Sequence, residues 1–304
     1  MKDIYTEVTD RIITALEAGT PPWHCPWTDH AALPSNLATG KPYRGINVLM
    51  LSIEAQLSGY GDSRWLTYKQ ASEVGAHVKK GEHGTSIVFF KMKEIGECEP
   101  HVPTESMESM DSRRVIPMLR SYTVFNASQL EFLPERFELR PSPAVWQPLG
   151  EAEQLLYETG AVIRHGGNKA FYSPTEDLIQ LPPEAWFETP DAYYAVALHE
   201  TVHWTGHPRR LNRVLGRRHG IEPYAMEELI AEMGAAFLCA HVGIPARLEH
   251  ASYIDSWLDS LRRDKRLIFT AAGAAQKAAD YVLGETLSAP AQSIAARPVE
   301  ELAA

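Results

Sequence analysis

Cysteine is scarce in this chain. There are three in 304 residues, Cys25, Cys98 and Cys239, odd in number and far apart. That pattern excludes a disulfide framework and favours a reducing compartment, so a cytoplasmic protein is expected. Long hydrophobic runs are lacking too. None approaches the roughly 18 residues that a membrane-spanning helix needs, and residues 1–19 have neither the uninterrupted apolar segment nor the small-residue cleavage site of a secretory signal. No membrane partner is expected. Basic charge is not in excess either. A formal net charge of −10 excludes a protein that coats nucleic acid with its whole surface.

What is present is a globular composition, 44% hydrophobic and 22% charged, in a chain longer than one core usually organises. Two domains are expected. At the N-terminus, Ile4, Tyr5, Val8, Ile12, Ile13 and Leu16 recur at helical spacing. A second helix is predicted from Ile46 to Leu57, stopped by Gly59 and Gly61, and a short one from Tyr68 to Val74. The run Ser86 to Lys91, and Tyr122, Val124 and Phe125, carry the β-branched and aromatic content of strands. Between them, residues 94–112 hold six acidic residues and no basic one, which reads as a surface loop or hairpin insertion. Prolines across 134–150 mark a linker.

From Glu151 the pattern becomes a helix, a strand pair (AVIRHGG and KAFYSPTEDLIQLP), then mostly helices to Gly284. The expected fold is α+β in two domains, residues 1–133 and 151–284. The second is mostly helical with a small sheet, and a tail occupies 285–304.

The segment YYAVALHETVHWTGH sets His199 and His203 one helical turn apart, so both imidazoles face one ion. Glu200, beside the first, is placed to act as general base on a water at that ion. Apolar flanks at Tyr194, Val196, Ala197, Leu198 and Val202 bury the helix, and buried imidazoles need a partner. One divalent ion is expected, zinc by the motif, with manganese as the alternative, and the site reads as that of a zinc-dependent metallopeptidase. A histidine third ligand of the HExxHxxGxxH kind is excluded, because that position is Arg209 and His207 comes too early. The remaining ligand comes from a later helix, where Glu228, Glu232 and Glu227 are the candidates, whereas His219, His241 and His250 lie away from its apolar centre. The Glu228/Glu232 spacing is similar to the ExxxD arrangement of thermolysin-like gluzincins. That likeness implies that Glu228 binds the metal and Glu232 supports a ligand histidine from behind. An edge strand within AFYSPTEDLIQLP is expected to align an extended substrate, with Tyr172, Asp177 and His165 near the cleft.

Several runs together resemble the ArdC family of antirestriction proteins: PWHCPW, YRGINVLML, WLTYKQA, VKKGEHGTSIVFFK, YTVFN, HETVHWTGHPRRLNR, YAMEELIAEMGAAFLCA and AQKAADYVLG. The likeness covers nearly the whole chain except the acidic segment. It implies an N-terminal domain that binds single-stranded DNA and a C-terminal zincin-like metallopeptidase domain, acting against restriction of incoming mobile-element DNA. It also leaves an unknown protein substrate, for which a restriction component is one candidate. In support, Trp23, Trp27, Tyr43, Trp65 and Tyr68 are interleaved with Arg44, Arg64, Lys69, Lys79 and Lys80, the mixture that stacks bases and neutralises phosphates. Most of these aromatics are expected in the core, leaving two as stackers. The alternative from a different class is a DNA-binding antirestriction protein whose metal site is structural or vestigial.

Overall fold

The computed structural model describes residues 3–18, 33–95, 114–137, 148–213, 223–245 and 254–285. The tryptophans Trp23 and Trp27, most of the acidic segment and of the linker, and the tail beyond Glu285 lie outside them.

In the N-terminal part, helix α1 (Ile4–Glu17) buries Val8, Ile12, Ile13 and Leu16 along one stripe. Helix α2 (Ile46–Ser58) is apolar on nearly every side and is buried accordingly. A four-stranded sheet forms from β1 (Ser35–Asn36), β2 (Arg64–Thr67), β4 (Thr85–Ile95) and β5 (Arg114–Asn126), in the order β1-β2-β5-β4. Strands β4 and β5 run antiparallel from Thr85↔Val124 out to Ile95↔Arg114, so the acidic segment joins the two arms of a long hairpin. Asn47 of α2 fixes the helix to this sheet by receiving the Val88 N–H and donating to the Val88 carbonyl, both at 2.8 Å. Helix α3 (Tyr68–Val74) starts at a capping box of Thr67 and Gln70, as the WLTYKQA run requires. Strands β3 (His77–Val78) and β6 (Leu130–Glu131) form a small antiparallel patch.

The C-terminal part opens with α4 (Pro148–Thr159), whose first turn occupies the end of the expected linker. Strands β7 (Val162–His165), β8 (Phe171–Ser173) and β9 (Leu178–Leu181) follow, then α5 (Pro190–Thr205), α6 (Pro223–Val242), α7 (Ile254–Arg263) and α8 (Leu267–Val282). The stretch predicted as one strand in 170–182 is a hairpin of two, turning near Asp177 at φ 52°. Helix α5 is capped by Thr189, whose hydroxyl accepts the Ala192 N–H, and carries Pro190 at its first turn. Helix α6 lies close against α5 because residue 234 is glycine: a Cβ there would stand 2.9 Å from both methyls of Val202.

The two parts share apolar interior. Val8, Ile12 and Leu16 of α1 and Val48, Leu49 and Ile53 of α2 belong to the same core as Leu198, Leu229, Trp257, Leu261, Ala272 and Val282. Polar contacts reinforce the seam between α2 and α8. Arg44 pairs with Asp280 and, at 3.1 Å, with Glu285, while the Gly45 N–H donates to Gln276 Oε1 at 2.9 Å. The YRGIN and AQKAAD runs are therefore the two halves of one joint. Among the described residues, no helix is long and apolar enough to cross a membrane.

Candidate metal centre

Helix α5 supplies His199 and His203, whose Nε2 atoms stand 3.2 Å apart. Helix α6 brings Glu228 to them, Oε2 at 3.5 Å from His199 Nε2 and Oε1 at 3.6 Å from His203 Nε2. A tetrahedral ion with bonds of about 2.0–2.2 Å separates its ligand atoms by about 3.4 Å, so these three side chains already hold the spacing that a divalent metal needs. They form the one such group among the described residues. His199, Glu228 and Glu232 are all buried, Glu228 at 3% exposure.

Behind these three side chains, His199 Nδ1 faces Glu232 Oε1 at 3.8 Å and His203 Nδ1 faces Glu227 Oε1 at 3.1 Å. Burial raises the Glu228 carboxyl, but its bonds with His199 and His203 and their charges prevail and hold it well below the carboxylate range. Burial pulls His203 down, yet the bonds to Glu227 and Glu228 and the charges of Glu227 and Glu200 push it up to about 10. Glu200, buried at 7% exposure, is thus close enough for its charge to act on the same imidazole. Glu227, third among the ligand candidates in the sequence, turns away from the convergence point. It is gripped by Arg213, which donates from Nη2 to Oε1 at 2.5 Å and from Nε to Oε2 at 3.1 Å. Nothing in the sequence pattern singles out Arg213.

The expected cleft residues are tied into structure. Tyr172 donates to Asp177 at 2.8 Å, Arg210 donates to both, and the Arg210 guanidinium lies 3.9 Å over the Trp204 ring. His165 stacks on Tyr193 with its Nε2 2.9 Å from the phenol oxygen. Strand β9 is the middle of its sheet, in the order β7-β9-β8. Its backbone is paired on both sides, so the sheet's edges are β7 and β8, and within the expected stretch β8 is the edge strand.

Residues 150–274 match the zincin-like metallopeptidase family and residues 2–125 match the N-terminal domain of anti-restriction factor ArdC. The crystal structure of antirestriction ArdC protein from the R388 plasmid, metal-free, is 43% identical and superposes with a TM-score of 0.77, covering 93% of this chain and 98% of that one. The chain belongs to the ArdC antirestriction family. The Mn(II)-bound structure of the same ArdC gives a TM-score of 0.74 at 43% identity over the same shares. An uncharacterised protein, y4eC, of Sinorhizobium fredii (strain NBRC 101917 / NGR234) is 41% identical over 92% of this chain and 91% of its own. Two Escherichia coli proteins named DNA primase TraC are 40% and 39% identical over 93% of this chain, which spans 27% and 20% of their lengths.

The residues expected to contact DNA separate sharply. Trp65 is fully buried against Tyr43, Leu51, Ala55, Ile87 and Val124, so it is a core residue and cannot stack on a base. Its place on the sheet's inward face was not visible without the pairing of β2. Tyr43 is buried as well. Arg44 pairs with Asp280 of α8 and with Glu285 just beyond it, and Arg64 pairs with Asp62 at 2.7 Å. Lys79 donates to the Ser128 carbonyl at 2.8 Å, and Lys69 lies 3.6 Å from Glu73 on an exposed face. Lys80 and Tyr68 are exposed, Tyr68 at 63%. The sequence pattern did not flag Phe89 and Tyr122, an exposed edge-to-face pair at 5.4 Å on neighbouring strands, beside exposed Arg120.

Proposed function

We propose that this chain is a cytoplasmic antirestriction protein that binds single-stranded DNA and hydrolyses a peptide bond at a zinc site. The convergence of His199, His203 and Glu228 beside Glu200, on facing buried helices, carries the reading. A Mn(II)-bound relative adds weight to a divalent ion, and the nitrogen-rich donor set with one carboxylate suits zinc.

When bound, the ion supplies Lewis acidity to a water and to the scissile carbonyl. The chain's own residues do the rest. His199 and His203 turn their Nε2 atoms to one point and their Nδ1 atoms to carboxylates, Glu232 at 3.8 Å and Glu227 at 3.1 Å, and a carboxylate behind the ring favours Nε2 as the atom that binds metal. Glu200 accepts the proton of the attacking water as the C–O bond forms, then delivers it to the amine nitrogen as the C–N bond breaks. An extended substrate adds to the β8 edge by backbone pairing. On the DNA side, Tyr68, Phe89 and Tyr122 offer ring faces to bases, and Lys69, Lys80 and Arg120 offer charge to phosphates. The substrate protein, a restriction component among the candidates, is the target in the recipient cell.

The test is metal analysis and peptide hydrolysis by wild type and Glu200→Gln, with zinc and manganese compared, beside gel shifts on single-stranded and duplex DNA. The expected result is stoichiometric metal in both proteins and hydrolysis in wild type alone. Metal without hydrolysis by wild type on any peptide or restriction protein would leave a structural metal centre.

A further inference from the structure

We infer that Glu227 is the positioning residue of the His203 ligand, held in place by an Arg213 clasp for which Gly206 leaves the space. This rests on the metal reading above and extends it to residues that the HExxH pattern does not contain.

Glu227 and Glu228 are adjacent on α6, so their side chains diverge by about 100° around the helix. Glu228 lies toward the Nε2 atoms of both histidines, while Glu227 reaches the opposite edge of the His203 ring, its Oε1 3.1 Å from Nδ1. A carboxylate there fixes the ring's rotation and its tautomer, so that Nε2 is the free donor atom, and strengthens that donor.

A glutamate side chain has several torsions and would hold such a position poorly by itself. Arg213 removes that freedom with two bonds to the carboxylate, and it is itself anchored twice to α5: Nη1 donates to Thr205 Oγ1 at 2.6 Å and Nη2 to the Val202 carbonyl at 2.7 Å. The Val202 carbonyl belongs to the last turn of α5 and also accepts the Thr205 hydroxyl at 2.6 Å. One guanidinium thus joins the end of the helix bearing His203 to the carboxylate that orients His203. Its side chain is 7% exposed.

Gly206 gives a second, independent observation. Its backbone is ordinary right-handed helix, φ −72° and ψ −12°, so no conformational need selects glycine. The need is space. A Cβ at 206 would stand 2.8 Å from Arg213 Nη2 and 3.1 Å from its Cζ, and 3.0 Å from the His203 carbonyl, so the guanidinium and the end of the helix that bears His203 together fill the volume that any side chain would occupy. The glycine three residues after the second histidine, which invites a histidine-ligand reading from sequence, is accounted for by the arginine beside it.

The experiment titrates the full-length metal-free protein with Mn(II) alone and with Zn(II) in competition, and records the melting temperature of each metal-free variant. Glu227→Gln should bind metal about 10–100-fold more weakly than wild type. Gly206→Ala, which leaves every polar group in place but displaces the clasp, should weaken binding in the same direction by about 10-fold. Added to Arg213→Met it should cost nothing more, because both act through one contact. Metal affinity within twofold of wild type for Glu227→Gln and Gly206→Ala would overturn the inference, and so would a fall in melting temperature with affinity unmoved. Should Glu227→Gln fail to fold, Gly206→Ala and its double variant decide. Wild type that binds neither ion would instead overturn the metal centre itself, and His203→Ala gives the reference for complete loss.

Discussion

Replacing His199 or His203 by alanine removes one of two imidazoles from a site of three side chains, so metal content should fall from stoichiometric to near zero in either variant. Elemental analysis after gel filtration checks this, and full retention in both variants would dismiss the site. Away from the ligands, Asp177 gives a pH signature. Its carboxyl lies at about 2, below the ordinary 3.8, through the Arg210 hydrogen bonds first, opposed by burial and helped by Tyr172. Tyr172 is pushed up to about 12, by burial first and then by Asp177. A lowered carboxyl stabilises the fold above its unfolded pKa, and that contribution is lost as pH falls from about 4 toward 2. A raised phenol stabilises below pH 10, and that contribution is lost as pH climbs through 12. The stability gap between wild type and Asp177→Asn, measured by denaturant at each pH, should therefore be widest from about pH 5 to 9 and narrow below pH 4. A gap that ignores pH would show that the charge of Asp177 does not matter. At this scale the sequence shows that His199 and His203 share one helix face, because four-residue spacing encodes it, whereas the Arg213 contact with Glu227 depends on an approach in the fold that no spacing encodes.

At the scale of elements, the crossing of α5 and α6 is closely constrained. Gly234→Ala should gain up to about 1 kcal/mol in intrinsic helix propensity yet lose about 1–3 kcal/mol from overpacking, because the new Cβ meets the branched Val202 rather than a flexible tip. The net expectation is a lower melting temperature, with metal affinity reduced as Glu228 is pushed from the histidines. Val202→Ala in the same chain should recover part of both, and a Gly234→Ala protein as stable as wild type would show that the helices can slide. Helices α1, α2, α3, α5 and α6 could all be read from periodicity and caps, since each carries its own pattern. The small sheet could not: whether 178–181 lies at an edge or in the middle depends on β7, paired parallel to it, and two short strands leave no mark of their partner. Trp65 fails for the same reason. A residue in a strand shows its alternation but not which side faces the core, and Trp65→Ala should accordingly unfold the protein by about 3–5 kcal/mol rather than specifically weaken DNA binding.

For the molecule as a whole, the surface proposed to meet DNA is expected to bind single strands more tightly than duplex, with affinity falling as salt rises because each phosphate contact releases counterions. Tyr122→Ala and Arg120→Ala should each weaken binding, measured by fluorescence anisotropy at two salt concentrations. Salt-independent binding, or none, would remove the DNA part of the proposal.

The interior that α1 and α2 share with α7 and α8 bears on what can be inherited separately. A gene break between the two family segments would leave each product with a raw apolar wall, the first lacking cover for Ile12 and Leu49, the second for Ile268 and Ala272. Both halves occur together in y4eC and within the much longer TraC proteins, each matched over 92–93% of this chain. A fragment ending near residue 133 should accordingly be aggregation-prone and bind hydrophobic dyes, whereas the joined pair stays dispersed.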